Sequence, residues 1–162
     1  MAAAAHVYPN ATLELGTKLE SLNGVDTLKV GLAASSSPAY TWNSTSQGHK
    51  FIADFLAGSG AGAMTEVSTS GTNYARQALT SVTFTTTGLV NTLTCATISW
   101  TATANFSATY AFFYDSGAVG ATTDANTPLI CYWDFGGTVS VVSGGNFTLT
   151  INASGIVTWT AS

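Results

Sequence analysis

The stretch that decides the fold is "SGGNFTLTINASGIVTWTA", residues 143–161. Phe147, Leu149 and Ile151 alternate with Thr148, Thr150 and Asn152, the period of two that sends side chains to opposite faces of a strand. The "NASG" that follows is a turn by its Asn, Ser and Gly content, and Ile156 opens the returning strand. The polar partners are threonines, whose β-branched side chains suit a pleated surface and whose hydroxyls meet polar neighbours without adding charge.

Working back from this hairpin, the chain reads as β from Met64 onward. Strands are expected at 74–86, 92–101, 108–114, 128–135, 138–142, 146–152 and 155–160. They are punctuated by "TTGLVN", "DSGAVGATTDANT", "FGGT", "SGGN" and "NASG". Short strands at such regular spacing predict a mainly β domain, an antiparallel β-sandwich or jelly roll, with one or two short helices in the N-terminal third. "DTLKVGLAASS", 26–36, alternates as a half-buried strand. In "SQGHKFIADFLAG", 46–58, Phe51, Ile52, Phe55 and Leu56 share a helical face, so a helix is expected near 47–57, with Gly58 as its stop. Leu15, Leu19 and Leu22 have helical spacing too. Residues 1–24 therefore read as an N-terminal segment, a short helix or an extended arm, ahead of a single domain over 25–162. "GSGAGA", 58–63, is a flexible joint.

Composition narrows the function classes. Among 162 residues only 7% are charged, against 46% hydrophobic, and the net charge is −4. Typical soluble domains are roughly 25% charged. The four cations Lys18, Lys29, Lys50 and Arg76 are scattered, with no basic stripe for nucleic acid. No apolar run is long enough for a membrane helix, and "MAAAAHV" lacks the pattern of a signal peptide. A surface so poor in charge lacks the usual defence against association, and partners that cover it are one resolution. The sequons at Asn10, Asn43, Asn105, Asn146 and Asn152 are those a Thr-rich chain produces by chance.

Cys95 and Cys131 read as small buried strand residues or as a cross-strand disulfide; they form no zinc motif, and no cofactor is expected. "AFFYDSG" and "CYWDFGG" both end an aromatic strand in Asp-x-Gly. Asp115 and Asp134 could be set as the paired carboxyls of a glycosidase, but Asp-x-Gly is also an ordinary turn, Asp capping it and Gly supplying positive φ. Tyr110, Tyr114, Tyr132 and Trp133 would offer stacking surfaces for a host glycan if they faced solvent, and are otherwise core. Nothing here argues for an enzyme. The remaining feature is "TEVSTSGTNYARQAL", 65–79, with the only arginine, Arg76. In a strand over 74–84, Arg76 faces inward, where an unpaired guanidinium is costly. A structural clasp is expected, with Glu66 across the turn, or with Asp115 or Asp134.

Taken in order, "VDTLKVGLAASSSPAYTWNSTSQGHKFIADFLAG", "TEVSTSGTNYARQALTSVTF" and "ATYAFFYDSGAVGATTDANTPLICYWDFGG" resemble a family of small tailed-bacteriophage virion proteins, over residues 12–150 or so. The points of resemblance are the "DTLKV" strand, the "YTWN" loop leading to "FIADF", the "YARQAL" strand, the "YDSG" turn and the "TPLICYWD" strand. The chain departs from the family in the Thr and Asn inserted before Tyr74 and in its more aromatic "CYWDFGG". The resemblance implies a virion structural protein with a β-sandwich or jelly-roll core: a decoration or minor capsid protein on the head exterior, or a neck or tail-fibre subunit. Its expected partners are the major capsid protein or other virion subunits and further copies of itself, a trimer being the guess from that role. No catalytic residues come with the family.

Overall fold

The computed structural model describes residues 4–7, 27–35, 49–57, 64–118 and 121–160. The β-branched and aromatic runs form β1 (Ala4–Val7), β2 (Leu28–Ser35), β3 (Met64–Glu66), β4 (Gln77–Ala78), β5 (Thr83–Thr87) and β6 (Val90–Thr94), followed by β7 (Ile98–Thr101), β8 (Phe106–Asp115), β9 (Leu129–Val141), β10 (Asn146–Leu149) and β11 (Val157–Thr160). One helix, α1 (Ile52–Ala57), is described. The fold is mainly β and antiparallel, as the alternation predicts. The helical spacing within 10–24, the loop at 37–46 and the joint at 58–63 lie outside the described residues. Ala4–Val7 form a strand on β9, and the rest of 1–24 lies outside the described residues.

The larger sheet has the order β1-β9-β8-β2-β3, with β4 also on β2. β3 and β4 share one edge of β2 end to end, β4 beside Lys29–Val30 and β3 beside Ala33–Ser35. Register divides the sheet into two faces. Val30 stands opposite Phe113 and Leu32 opposite Ala111, while Phe113 and Ala111 stand opposite Cys131 and Trp133. This face meets the second layer: Trp133 packs on Phe113 at 5.1 Å and donates its indole N–H to the Ile156 carbonyl. On the other face Tyr110, Phe112 and Tyr132 gather under α1, with Phe55 5.7 Å from Phe112 and 5.4 Å from Tyr132. Because both faces are covered, Tyr110–Asp115 and Leu129–Trp133 are buried throughout.

The second layer holds two small sheets, β7–β10 and β5–β6–β11. Leu149 pairs with Ile98 and Val157 with Leu93, so β10 and β11 lie one after the other along β7 and β6, separated by the excursion 150–156. The "NASG" turn is where the sequence places it: Asn152 accepts from the N–H groups of Ser154 and Gly155. Gly155 has φ +72°, and a Cβ there would fall 2.3 Å from the Leu93 oxygen. Ladders of Ser, Thr and Asn run over the outer surface, Ser99 with Thr148 and Thr101 with Asn146.

Three strand boundaries differ from expectation. The stretch 74–86 is not one strand: Ser81 has φ +52°, and β4 and β5 part there. The stretch 92–101 divides at 95–97, where the Ala96 N–H turns to the Thr80 carbonyl. Conversely, "FGGT" does not end a strand. β9 runs through it, with Gly136 at φ +70°, and Thr109 alone stands opposite residues 135–138. This is a large bulge, and glycine there bends a strand that the turn rules would have ended.

Candidate functional site

Among the described residues the most elaborate polar cluster is built on Arg76. The β2 edge is occupied by β4 and β3 at its two ends, which leaves the Leu32 N–H between them. A buried amide without a partner is costly. Tyr74 fills the gap: the Leu32 N–H donates to its hydroxyl at 2.7 Å, and the hydroxyl donates to Glu66 Oε1 at 2.9 Å. Arg76 then closes on the same carboxylate through Nε at 2.7 Å and Nη2 at 2.6 Å, a bidentate fork. Its other side forks to Asp124, at 2.6 and 2.7 Å. The guanidinium also lies over the Phe112 and Tyr114 rings, 5.3 and 5.5 Å from their centroids, a cation–π arrangement.

Asp124 belongs to the loop that seats α1. Its carbonyl accepts the Ala53 N–H and that of Thr127 accepts the Ile52 N–H, while Asn126 ties the loop to Thr122 and Thr123. Asp54 reaches back to the N–H groups of Lys50 and Phe51, which otherwise have no helical partner. The clasp therefore fastens β3, the segment before β4, the aromatic face of the large sheet and the helix-bearing loop to one another. Burial is the largest influence on the Arg76 guanidinium and opposes its charge, but its bonds to Asp124 and Glu66 outweigh this and raise its pKa. The hydrogen bond from Arg76 holds the Asp124 carboxyl below its usual value, against the effect of burial. Burial raises the Tyr74 phenol, with the Glu66 charge adding to it. Tyr74 thus keeps its proton, and four N–H bonds of Arg76 are committed.

Of the residues expected in the clasp, Arg76 and Glu66 are brought together. Asp115 and Asp134 are not the second carboxylate. Asp115 accepts the Gly117 N–H and Asp134 the Gly136 N–H, both at 2.8 Å, the Asp-x-Gly geometry in which the side chain closes a local bend. Asp124 has that role instead. It lies in "DANT", which reads in sequence only as loop punctuation, 48 positions from Arg76, and no local pattern marks it.

The aromatic residues considered as exposed contacts are buried: Tyr110, Tyr114, Tyr132 and Trp133 are at most 9% exposed. Tyr110 meets Tyr132 edge-on and His6 stacks on Tyr132 at 4.7 Å. They form the core because α1, Arg76 and the second layer cover the two faces. Both cysteines are free thiols; burial pushes Cys95 up to about 11 and Cys131 higher still. Among the described residues no group of His, Cys, Asp or Glu could hold a metal ion, and no helix is long and apolar enough to cross a membrane.

Among the described residues an open groove of about 480 Å³ lies beside β10 and β11. Its lining includes the apolar Trp133, Phe135 and Ile156 and the exposed polar Thr148, Asn152 and Thr158. No charged residue lines it. No family model, no curated protein and no solved structure matches the chain.

Proposed function

We propose that the chain is a structural subunit of a tailed-bacteriophage virion, placed on the head exterior as a decoration or minor capsid protein. The observation that carries this reading is what the most elaborate polar site does. Glu66, Arg76, Asp124 and Tyr74 saturate one another and lock sheet, loop and helix together. That is the chemistry of a load-resisting fastener. Of the motifs of the resemblance, "YARQAL" carries Tyr74 and Arg76 and "YDSG" opens on Tyr114, whose ring lies by the guanidinium, while "DTLKV" leads into β2 and "TPLICYWD" builds β9. On a capsid such a subunit adds buried area across joints between capsomers and so opposes outward pressure from packaged DNA. Its partners there are the major capsid protein and further copies of itself, with a trimer as the symmetry proposed from the role.

The test is a three-dimensional reconstruction of the phage particle whose genome encodes the chain. Density for this sandwich repeated over the head lattice is the expected result. Density only at the neck or tail would replace the decoration role with that of a neck or tail-fibre subunit. A particle lacking the chain altogether would overturn the virion assignment.

A further inference from the structure

Residues 77–114 and 135–162 contain no Asp, Glu, Lys, Arg or His. Strands β5, β6, β7, β10 and β11 fall wholly within them, so the described strands of the second layer carry no Asp, Glu, Lys, Arg or His. The net charge of −4 comes from the remainder of the chain. The charge-free layer also has strand edges with no pairing among the described residues, since β10 pairs only with β7, β11 only with β6 and β5 only with β6. Exposed edges are usually protected by charge, above all by lysine, or by proline. None of those residues is present in these strands.

Two further features lie on this layer. The β5–β6 hairpin turns at Gly88-Leu89, with Gly88 at φ +62° taking the left-handed position, and at this tip Leu89 is 64% exposed and Val90 39%. Beside β10 and β11 is the groove of about 480 Å³, lined by consecutive backbone at Phe147–Thr150 and Gly155–Thr158, with Val139, 40% exposed, in its wall. Its size is within the roughly 300–1,000 Å³ of sites that enclose small ligands. Leu89, being largely in solvent, does not fill the groove of its own chain.

We infer that the charge-free layer is a self-association face, and that the Leu89 hairpin tip of one copy seats in the β10–β11 groove of the next. A second copy is the occupant that the charge distribution favours. Copies with net negative charge repel where their carboxylates meet, and the described strands of this layer let two of them approach without setting like charges together. The apolar tip matches the apolar part of the lining, and the neutral Thr and Asn beside it leave no ion to be desolvated. Because tip and groove are different surfaces, the contact is head to tail, and it closes into a ring or propagates according to the rotation between copies. The inference needs no virion and no other protein.

The experiment is sedimentation of the purified full chain over a concentration series, for the wild type, Leu89→Lys and Val139→Lys, with near-ultraviolet circular dichroism to check each fold. Wild type should form oligomers whose association changes little between low and high salt. Each variant should associate at least about tenfold more weakly, the loss of one buried apolar side chain. An equimolar mixture of the two variants should give dimers, because the Leu89→Lys chain keeps its groove and the Val139→Lys chain keeps its tip. If either variant fails to fold, Leu89→Ser or Thr158→Lys replaces it. A wild type that stays monomeric, oligomers unaffected by either substitution, or a mixture with no restored dimer would each overturn the inference. None of these outcomes bears on where the chain sits in a particle.

Discussion

Arg76 and its neighbours show how a few polar atoms decide local stability. Arg76→Gln leaves Glu66 and Asp124 facing each other without their cation. A buried pair broken in this way costs about 3–5 kcal/mol and an exposed one about 1 kcal/mol or less. With Arg76 22% and Glu66 25% exposed, a loss of about 2–3 kcal/mol is expected in urea unfolding. Tyr74→Phe removes one hydroxyl and leaves the Leu32 amide without its partner, for about 1–3 kcal/mol; a change under a few tenths would refute the gap-filling role. Asp124 supplies the pH dependence. Its carboxyl is held below its ordinary value in the fold, so its contribution is complete above the unfolded value near 3.8 and is lost as pH falls through the lower folded value. Thermal midpoints measured from pH 7 to pH 2 should therefore fall less steeply at the acid end in Asp124→Asn than in wild type. Asp124 is 41% exposed, so water screens this term and the difference should be small. A lone arginine in an uncharged inward-facing run demands a carboxylate, and Glu66 across a short turn was within reach of that argument. Asp124 was not, because nothing in a sequence records which distant loop folds over a given residue.

Among the elements, β2 and β8 are joined by a fit that has no slack. Gly31 lies opposite Phe112, and a Cβ added to it would fall 2.2 Å from Phe112 Cζ. Gly31→Ala should therefore displace that ring from beneath Phe55 and Arg76, costing about 1–3 kcal/mol as overpacking does. The check is chemical denaturation together with the near-ultraviolet signal of the aromatic cluster. Fully native stability would show that the ring is free to move. Strand existence was readable from alternation at β2, β8, β9, β10 and β11, where β-branched and aromatic residues carry the period. Strand ends were less so. The stretch 74–86 alternates as well as any, yet it breaks at Ser81 because the Thr80 carbonyl bonds Ala96 in another part of the layer. At 135–138 the composition of a turn occurs inside a strand, because the partner β8 continues past it and holds both sides.

For the whole molecule, the large sheet is completed at one edge by the first described strand. Ala4–Val7 pair with Cys131–Asp134, covering the β9 edge. Deleting residues 1–7 should lower stability by about 1–3 kcal/mol through lost ladder bonds, and should raise light scattering on heating as the bared edge finds other strands. Unchanged scattering would mean that another segment protects that edge. What the sequence determined by itself was the class of fold and the distribution of charge. Both are properties of composition and of a two-residue period, and neither depends on which strand lies beside which. It also determined that Arg76 must be neutralised, since burying a guanidinium alone is prohibitive. Only the tertiary structure decided that Tyr110, Tyr114, Tyr132 and Trp133 are core and not contact surface, that Asp124 and not Asp115 or Asp134 completes the clasp, and that the uncharged strands β5, β6, β7, β10 and β11 lie together in the second layer. Those outcomes depend on which faces are covered and which loops close over them. Contacts between residues far apart in the chain decide that, and periodicity carries no record of them.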